Sequence, residues 1–181
     1  MKKTISIGIQ GFSDLREQDC FFVDKTNFIK EWWGKRDVVT LITRPRRFGK
    51  TLNMSMLDCF FSNKYANRAD LFEGLSIWQD ETYRKLQGTY PVIFLSFAAV
   101  KAGNLEDAKT QIKQEITRLY WENRNLMKED IFGEDERELY YRTTVKMDDV
   151  TAQDSLRNLS VWMERYYGKK VIILLDEYDT P

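Results

Sequence analysis

Gly49, Lys50 and Thr51 stand in a row and have the residue types that bind phosphate. A glycine lets the backbone approach an anion closely, a lysine supplies positive charge, and a threonine hydroxyl can hold a magnesium ion. The usual phosphate loop consists of a glycine, four residues, and then Gly-Lys-Ser or Gly-Lys-Thr. Here the eight positions are Arg44–Thr51, so Arg44 replaces the first glycine.

The segments on either side of this loop strengthen the interpretation. The uncharged, partly β-branched run Val38–Thr43 predicts a buried strand that ends directly before the loop. The apolar residues of Thr51–Asn63 have helical spacing. Strand, loop and helix is the order that a phosphate loop requires, whereas the Gly-Lys-Thr tripeptide alone would be a weak signal.

A second candidate site lies near the end of the chain, where the apolar run Val171–Leu175 leads into Asp176 and Glu177. The carboxyl end of a parallel strand is where ligands bind in α/β proteins. An acid there can hold Mg²⁺, and a neighbouring glutamate can polarise a water molecule. By itself such an ending is more often a strand that meets solvent. Asp179 is a weaker candidate for a second metal ligand.

Strand-like and helical segments alternate along the chain, which predicts an α/β fold with a mainly parallel sheet flanked by helices. The segment 127–151 gives no clear prediction. The remaining predicted elements are a helix Lys25–Trp33, a strand Val92–Phe97, a helix Leu105–Leu126 capped by Asn104, and a helix Ala152–Tyr167 ended by Gly168. Asp24 is interpreted as the cap of the first helix. The alternative is that Asp24, Lys25 and Thr26 lie near a base or ribose.

The composition excludes several kinds of chemistry. The chain has no histidine, which removes histidine-based acid–base catalysis and most catalytic zinc sites. Its 28 basic and 28 acidic residues balance, so net charge gives no support to nucleic-acid binding. Cys20 and Cys59 are interpreted as reduced thiols. No run is apolar for the roughly 18 residues that a membrane span needs, and the predicted location is cytoplasmic.

Several stretches resemble the AAA-ATPase-like family of uncharacterised prokaryotic proteins. They are Ile9–Phe12, Phe22–Thr26, Leu41–Leu52 and Leu174–Asp179. In that family an arginine-rich phosphate loop is the usual form, so Arg44 resembles a family variant. The resemblance extends from near the start of the chain to its end.

The resemblance and the chemistry together imply ATP and Mg²⁺ as cofactors. Lys50 would contact the β- and γ-phosphates, Thr51 and Asp176 would hold the metal, and Glu177 would activate water, so Lys50 and Glu177 are the predicted catalytic residues. Arg46 and Arg47 would either bind phosphate or belong to a solvated, salt-bridged loop. The residues implied to contact ATP are Arg46, Arg47, Phe48, Gly49, Lys50, Thr51 and Leu52.

The resemblance also implies that residues 1–181 are the N-terminal part of a single P-loop domain, truncated before its remaining strands. A sheet with unpaired edges would favour self-association or weak stability, and the fragment is expected to be inactive. Relatives often continue into a region resembling PD-(D/E)xK nucleases, so a nucleic-acid role rests on analogy alone.

The leading functional hypothesis is Mg²⁺-dependent ATP binding and hydrolysis that drives a conformational switch in a larger protein. One alternative is a sensor that binds nucleotide without hydrolysing it. Another is a pseudo-ATPase that serves as an interaction module. The preference for ATP over GTP follows from the resemblance and from the lack of an Asn-Lys-x-Asp motif.

Overall fold

The structure, a computed structural model, describes residues 4–5, 8–43, 45, 48–128 and 130–178. The chain divides into two compact units, residues 1–90 and 91–181. The described residues of the first unit include the α-helices α1 (Phe12–Glu17), α2 (Asn27–Lys35), α3 (Lys50–Phe61) and α4 (Glu81–Arg84). The second contains β1 (Val92–Ser96), α5 (Leu105–Glu122), α6 (Glu134–Arg142), α7 (Asp149–Tyr167) and β2 (Ile172–Asp176). Short 3₁₀ helices lie at Asn63–Tyr65, Ala69–Phe72, Ser76–Gln79 and Arg124–Lys128.

The core of the first unit is aromatic and surrounds the C-terminal half of α3. Phe12, Phe60, Phe61 and Phe72 are completely buried. The ring of Phe12 stacks on that of Phe72 with centroids 5.1 Å apart, and Phe60 meets Phe72 edge-on at the same distance. Burial of each such side chain stabilises a fold by about 2–3 kcal/mol, so α3 is held chiefly by this packed end.

Asp24 does not cap a helix directly, contrary to the prediction. Helix α2 begins at Asn27 with Thr26 as its N-cap residue. The Asp24 carboxylate instead accepts hydrogen bonds from the backbone and hydroxyl groups of both Thr26 and Ser76. The Thr26 hydroxyl in turn accepts one from the Ile77 backbone at 3.1 Å. Asp24 therefore joins the start of α2 to the 3₁₀ turn at Ser76.

The predicted buried strand Val38–Thr43 is wrong. These residues form no strand, and Val38, Val39 and Leu41 are 101%, 84% and 62% exposed. A strand is stabilised by hydrogen bonds to a neighbouring strand, and the described part of the chain provides none for this segment. Its apolar, β-branched composition is therefore insufficient to form the strand.

The second unit confirms the α/β class and the parallel pairing on a small scale. Its sheet contains β1 and β2, paired in parallel from Val92 with Ile172 to Ser96 with Asp176. The connection between them includes α5 and α7, as parallel strands require. Among the described residues the sheet has these two strands, fewer than the three that the sequence predicts.

Helix α5 begins and helix α7 ends at the predicted residue, whereas α5 ends at Glu122 rather than Leu126 and α7 begins at Asp149 rather than Ala152. The Asn104 side chain accepts from the Asp107 backbone N–H at 2.9 Å and caps α5, and Gly168 ends α7 in the left-handed conformation with φ 64°. Both helices pack with β1 around a core that includes Ile93, Leu119 and Trp162.

Helix α6 is an element that the sequence did not predict. Glu136 in its first turn accepts from the Gly133 backbone at 3.0 Å and from the Trp162 indole at 3.1 Å. It also forms an ion pair with Arg165 at 2.8 Å. These contacts, chiefly the Arg165 hydrogen bond, lower the pKa of Glu136 to about 2. Helix α6 is thus held largely by tertiary contacts to α7, which an inspection of local sequence does not reveal.

The two cysteines are free thiols, as predicted, and the structure shows that both are buried. Burial, together with the nearby charge of Asp58, raises the pKa of the Cys59 thiol to about 11, so it is not a nucleophile near neutral pH. Within the described ranges, no helix has the length and apolar character needed to cross a membrane.

Candidate functional site

The predicted phosphate loop leads directly into helix α3. Gly49 is the N-cap residue, with the left-handed dihedral angles φ 76° and ψ 26°, and its carbonyl accepts from the Asn53 backbone N–H at 2.9 Å. Glycine adopts this conformation without the steric penalty that other residues incur. The chain can therefore turn sharply and begin the helix at Lys50.

The first turn of α3 is suited to an anion. The first backbone N–H groups of a helix have no intrahelical partner, and the N-cap residue Gly49 has no side chain that could cap them. The first turn contains no acidic residue, and its first position is Lys50. A lysine at that end opposes the helix dipole, so the charge distribution is unfavourable for the isolated helix and favourable for a bound phosphate.

The described residues of the loop differ in exposure. Lys50, Thr51 and Leu52 are half-buried, whereas Phe48 is 62% exposed. The Phe48 backbone N–H donates to the Pro45 carbonyl at 3.4 Å. Arg44, Arg46 and Arg47 lie outside the described residues, so the phosphate-binding and salt-bridged alternatives for the last two stay predictions.

Helix α3 is anchored by a residue that the sequence did not assign. The Ser55 hydroxyl, one turn beyond Thr51, accepts from the Phe12 backbone N–H at 2.9 Å. Phe12 begins α1 and is completely buried. This bond connects the stretch Ile9–Phe12 to the helix that follows the loop. In the sequence, Ile9–Phe12 is notable only for its resemblance to the family, and that resemblance does not identify Ser55 as the partner of Phe12.

The predicted acidic pair lies at the end of β2. Asp176 is its last residue and is 4% exposed. Its backbone carbonyl accepts from the Phe97 N–H at 3.0 Å, but its side-chain oxygen Oδ2 is buried and has no hydrogen-bond partner among the described residues. Leaving a buried carboxylate oxygen without a partner is costly, so this atom marks a place for a cation or a hydrogen-bond donor.

Glu177 follows immediately and is half-buried. Its φ is 53°, one of three positive values among the described non-glycine residues. A left-handed glutamate is strained, and such strain is concentrated at functional sites. Asp179 lies outside the described residues.

The side chains present fit Mg²⁺. This ion prefers oxygen ligands and is usually held by one or two carboxylates, with water and phosphate completing its shell. In the second unit, Asp176 has a carboxylate oxygen without a hydrogen-bond partner among the described residues. In the first unit, Thr51 has a hydroxyl at the second position of α3, and each group by itself is a suitable oxygen ligand. The described residues contain no cluster of three or more acidic, cysteine or histidine ligands. When bound with ATP, Mg²⁺ would supply charge neutralisation at the phosphates.

These observations define an α/β protein with a parallel strand pair that ends in acids, and with a helix that begins at a Gly-Lys-Thr sequence. The chain belongs to the AAA-ATPase-like family of predicted AAA-ATPases, whose sequence model matches residues 6–181. This confirms the resemblance and supports nucleotide binding at the level of the family.

A curated relative is an uncharacterised protein in the vnfD 5′ region of Azotobacter chroococcum mcd 1. It is 26% identical to this chain over 181 residues, which are 99% of the chain and 30% of the relative. The chain thus spans about 30% of the length of that relative. No solved structure matches the chain.

Proposed function

We propose that this chain binds ATP through the loop that ends in Gly49, Lys50 and Thr51, within a fold of the P-loop class. The observation that carries the proposal is the start of α3, where a left-handed N-cap glycine, a first turn without acidic residues and Lys50 occur together. Lys50 binds the β- and γ-phosphates, and the amides of the first turn bind phosphate oxygens. Arg46, Arg47, Phe48 and Leu52 complete the contacts to ATP.

Mg²⁺ accompanies the nucleotide and is held by Thr51 and Asp176. The unpartnered Oδ2 of Asp176 supports this assignment, because a buried carboxylate oxygen needs a cation or a donor. Glu177 activates the attacking water, and hydrolysis drives a conformational switch in a longer protein. The strained backbone of Glu177 supports its functional role.

Calorimetry of ATP binding in the presence of Mg²⁺ tests the phosphate site. We expect Lys50→Ala to abolish measurable binding, because the lysine supplies the charge that faces the phosphates. Lys85→Ala is a matched control, since Lys85 is exposed and forms a helical ion pair with Glu81 at 3.1 Å. Equal binding by the wild type and Lys50→Ala, with both proteins folded by circular dichroism, would overturn the proposal and leave Arg44–Thr51 as a structural loop.

Turnover separates the hydrolase from a non-hydrolysing sensor. Glu177→Gln keeps the size of the side chain but removes its ability to accept a proton, so it should abolish hydrolysis and spare binding. Because this chain alone is expected to be inactive, the assay needs a longer protein that contains it, and Lys50-dependent ATP binding without turnover in that protein would indicate the sensor. A pseudo-ATPase would keep its biological activity in the Lys50→Ala variant.

Self-association is a further part of the proposal. Within the described residues the sheet has two strands, so each strand has one edge without a strand partner. On β2, Ile173 and Leu175 are 44% and 41% exposed. Such edges favour pairing with another chain. Analytical ultracentrifugation tests this idea, and a monomer across a wide concentration range would contradict it. A nucleic-acid role is supported only by analogy with the nuclease-like regions of relatives.

A further inference from the structure

The last residues of the two paired strands, Ser96 and Asp176, are direct neighbours in the sheet. In-register residues on adjacent parallel strands project to the same face, with the strands about 4.8 Å apart. The Ser96 hydroxyl and the Asp176 carboxylate therefore lie on one face at the carboxyl end of the sheet. Ser96 is the only polar residue in β1, whose sequence is VIFLS.

Both side chains have unused hydrogen-bonding capacity. Asp176 Oδ2 is buried, and no residue in the described ranges forms a hydrogen bond with it. Ser96 Oγ accepts from the Ala98 backbone N–H at 3.4 Å, near the long limit for such a bond. In the part of the chain that the structure describes, this hydroxyl makes no other hydrogen bond. Two oxygen acceptors thus project from in-register residues of neighbouring strands, and a donor placed between them would form a hydrogen bond with each.

We propose that Ser96 is a positioning residue that helps Asp176 hold the hydrated Mg²⁺ of bound ATP. Mg²⁺ loses its water reluctantly and usually keeps several water molecules in protein sites. One such water has two protons to donate, one to Asp176 Oδ2 and one to Ser96 Oγ. This inference rests on the proposed function, since it concerns the same metal.

The roles of the two residues differ. Asp176 supplies the negative charge that attracts the cation, whereas Ser96 supplies a second acceptor that orients the water. Groups around a metal site that act in this way typically change metal affinity 10- to 100-fold when removed. They have little effect on a ligand that binds without the metal. Metal dependence is therefore the property that separates positioning from a purely structural role.

The experiment measures ATP binding by the protein during a Mg²⁺ titration, and again in EDTA. We expect Ser96→Ala to raise the Mg²⁺ concentration for half-maximal binding about tenfold, with binding in EDTA unchanged. Ser96→Thr retains the hydroxyl and should stay within about twofold of the wild type. Ser160→Ala is a matched control, since the Ser160 hydroxyl donates to the Leu156 carbonyl within α7.

A Ser96→Ala variant with an unchanged Mg²⁺ midpoint would overturn the inference while leaving the ATP site intact. The inference also fails if the variant loses affinity equally in Mg²⁺ and in EDTA, because the role of Ser96 would then be structural. If the wild type shows no Lys50-dependent ATP binding, there is no ATP site at this loop. Both the proposed function and the inference about Ser96 then fail. Comparison with Lys50→Ala in the same series distinguishes these failures.

Discussion

Asp24 and Ser76 are 52 residues apart in sequence and are joined through a single carboxylate oxygen. Asp24 Oδ2 accepts from the Ser76 backbone N–H at 2.7 Å and from its hydroxyl at 2.6 Å. The other oxygen accepts twice from Thr26, at 2.9 and 2.7 Å. With four donors directed at it, this carboxylate is occupied by structural bonds, which favours a structural role over contact with a base or ribose.

The Asp24 contacts predict a loss of stability in acid. Burial by itself raises the pKa of Asp24, but hydrogen bonds from Ser76 and Thr26 more than offset it and lower the pKa from 3.8 to about 2. A lowered folded-state pKa stabilises the protein above about pH 4, and this contribution is lost as the pH falls through about 2. Because Asp24 is solvent-exposed, screening reduces the contribution to about 1 kcal/mol.

Urea unfolding of Asp24→Asn from pH 7 to pH 2 checks this expectation. The difference in free energy of unfolding between wild type and variant should be present at neutral pH and should close between about pH 4 and pH 2. Asp37→Asn, in the exposed segment after α2, is the control and should change stability by less than about 0.5 kcal/mol. If the difference in free energy of unfolding between wild type and variant were the same at every pH, the charge of Asp24 would not be involved.

Gly49 and Gly168 provide a matched pair for testing the loop conformation. Their φ values are 76° and 64°, and a Cβ atom on either would meet no described atom within 4 Å. Alanine at each should cost about 1–2 kcal/mol, because a left-handed L-residue is strained. We expect only Gly49→Ala to weaken ATP binding as well, since Gly49 precedes the phosphate-binding amides. Calorimetry measures the ATP affinity of both variants, and thermal unfolding measures their stability. An equal loss of affinity in the two variants would indicate that each substitution acts by unfolding the protein.

Glu177 and Arg36 form a second matched pair, because both have φ of 53°. Glycine removes the left-handed strain, while its greater freedom in the unfolded chain offsets part of the gain. We therefore expect Glu177→Gly and Arg36→Gly to stay within about 1 kcal/mol of the wild-type stability. In a longer protein that contains this chain, only Glu177→Gly should lower ATP turnover, by about 10²- to 10⁴-fold, because it removes the proposed general base. Unchanged turnover would remove Glu177 from that role.

A substitution in the segment Val38–Thr43 can distinguish the exposed loop of the structure from the buried strand that the sequence predicts. Val39→Lys places a charge on a residue that is 84% exposed and should change stability by less than about 0.5 kcal/mol. A buried central strand would lose several kcal/mol on the same substitution. Ile93→Ala, at a completely buried position of β1, is the positive control and should cost about 2–5 kcal/mol. Denaturant unfolding measures both variants.

Sequence alone determined those elements whose signals are local. The Asn104 cap and the Gly168 terminator set the boundaries of α5 and α7, because each acts on backbone groups within a few residues. The apolar runs at 92–97 and 171–175 identified β1 and β2, and the helices between them implied parallel pairing. The start of α3 at Gly49 and Lys50 could also be predicted from the sequence, because it depends on a glycine and on the residues that directly follow it.

Only the tertiary structure decided the features that depend on distant partners. Val38–Thr43 has the composition of a strand, but a strand also needs a neighbour to complete its hydrogen bonds. Asp24 bonds to Ser76, and Ser55 anchors Phe12, because folding brings those groups together. The unpartnered oxygen of Asp176, in register with Ser96, is equally invisible in the sequence. Burial and pairing are properties of the folded chain. The residue types therefore identify candidate groups, but they do not predict which groups become buried or which partners they contact.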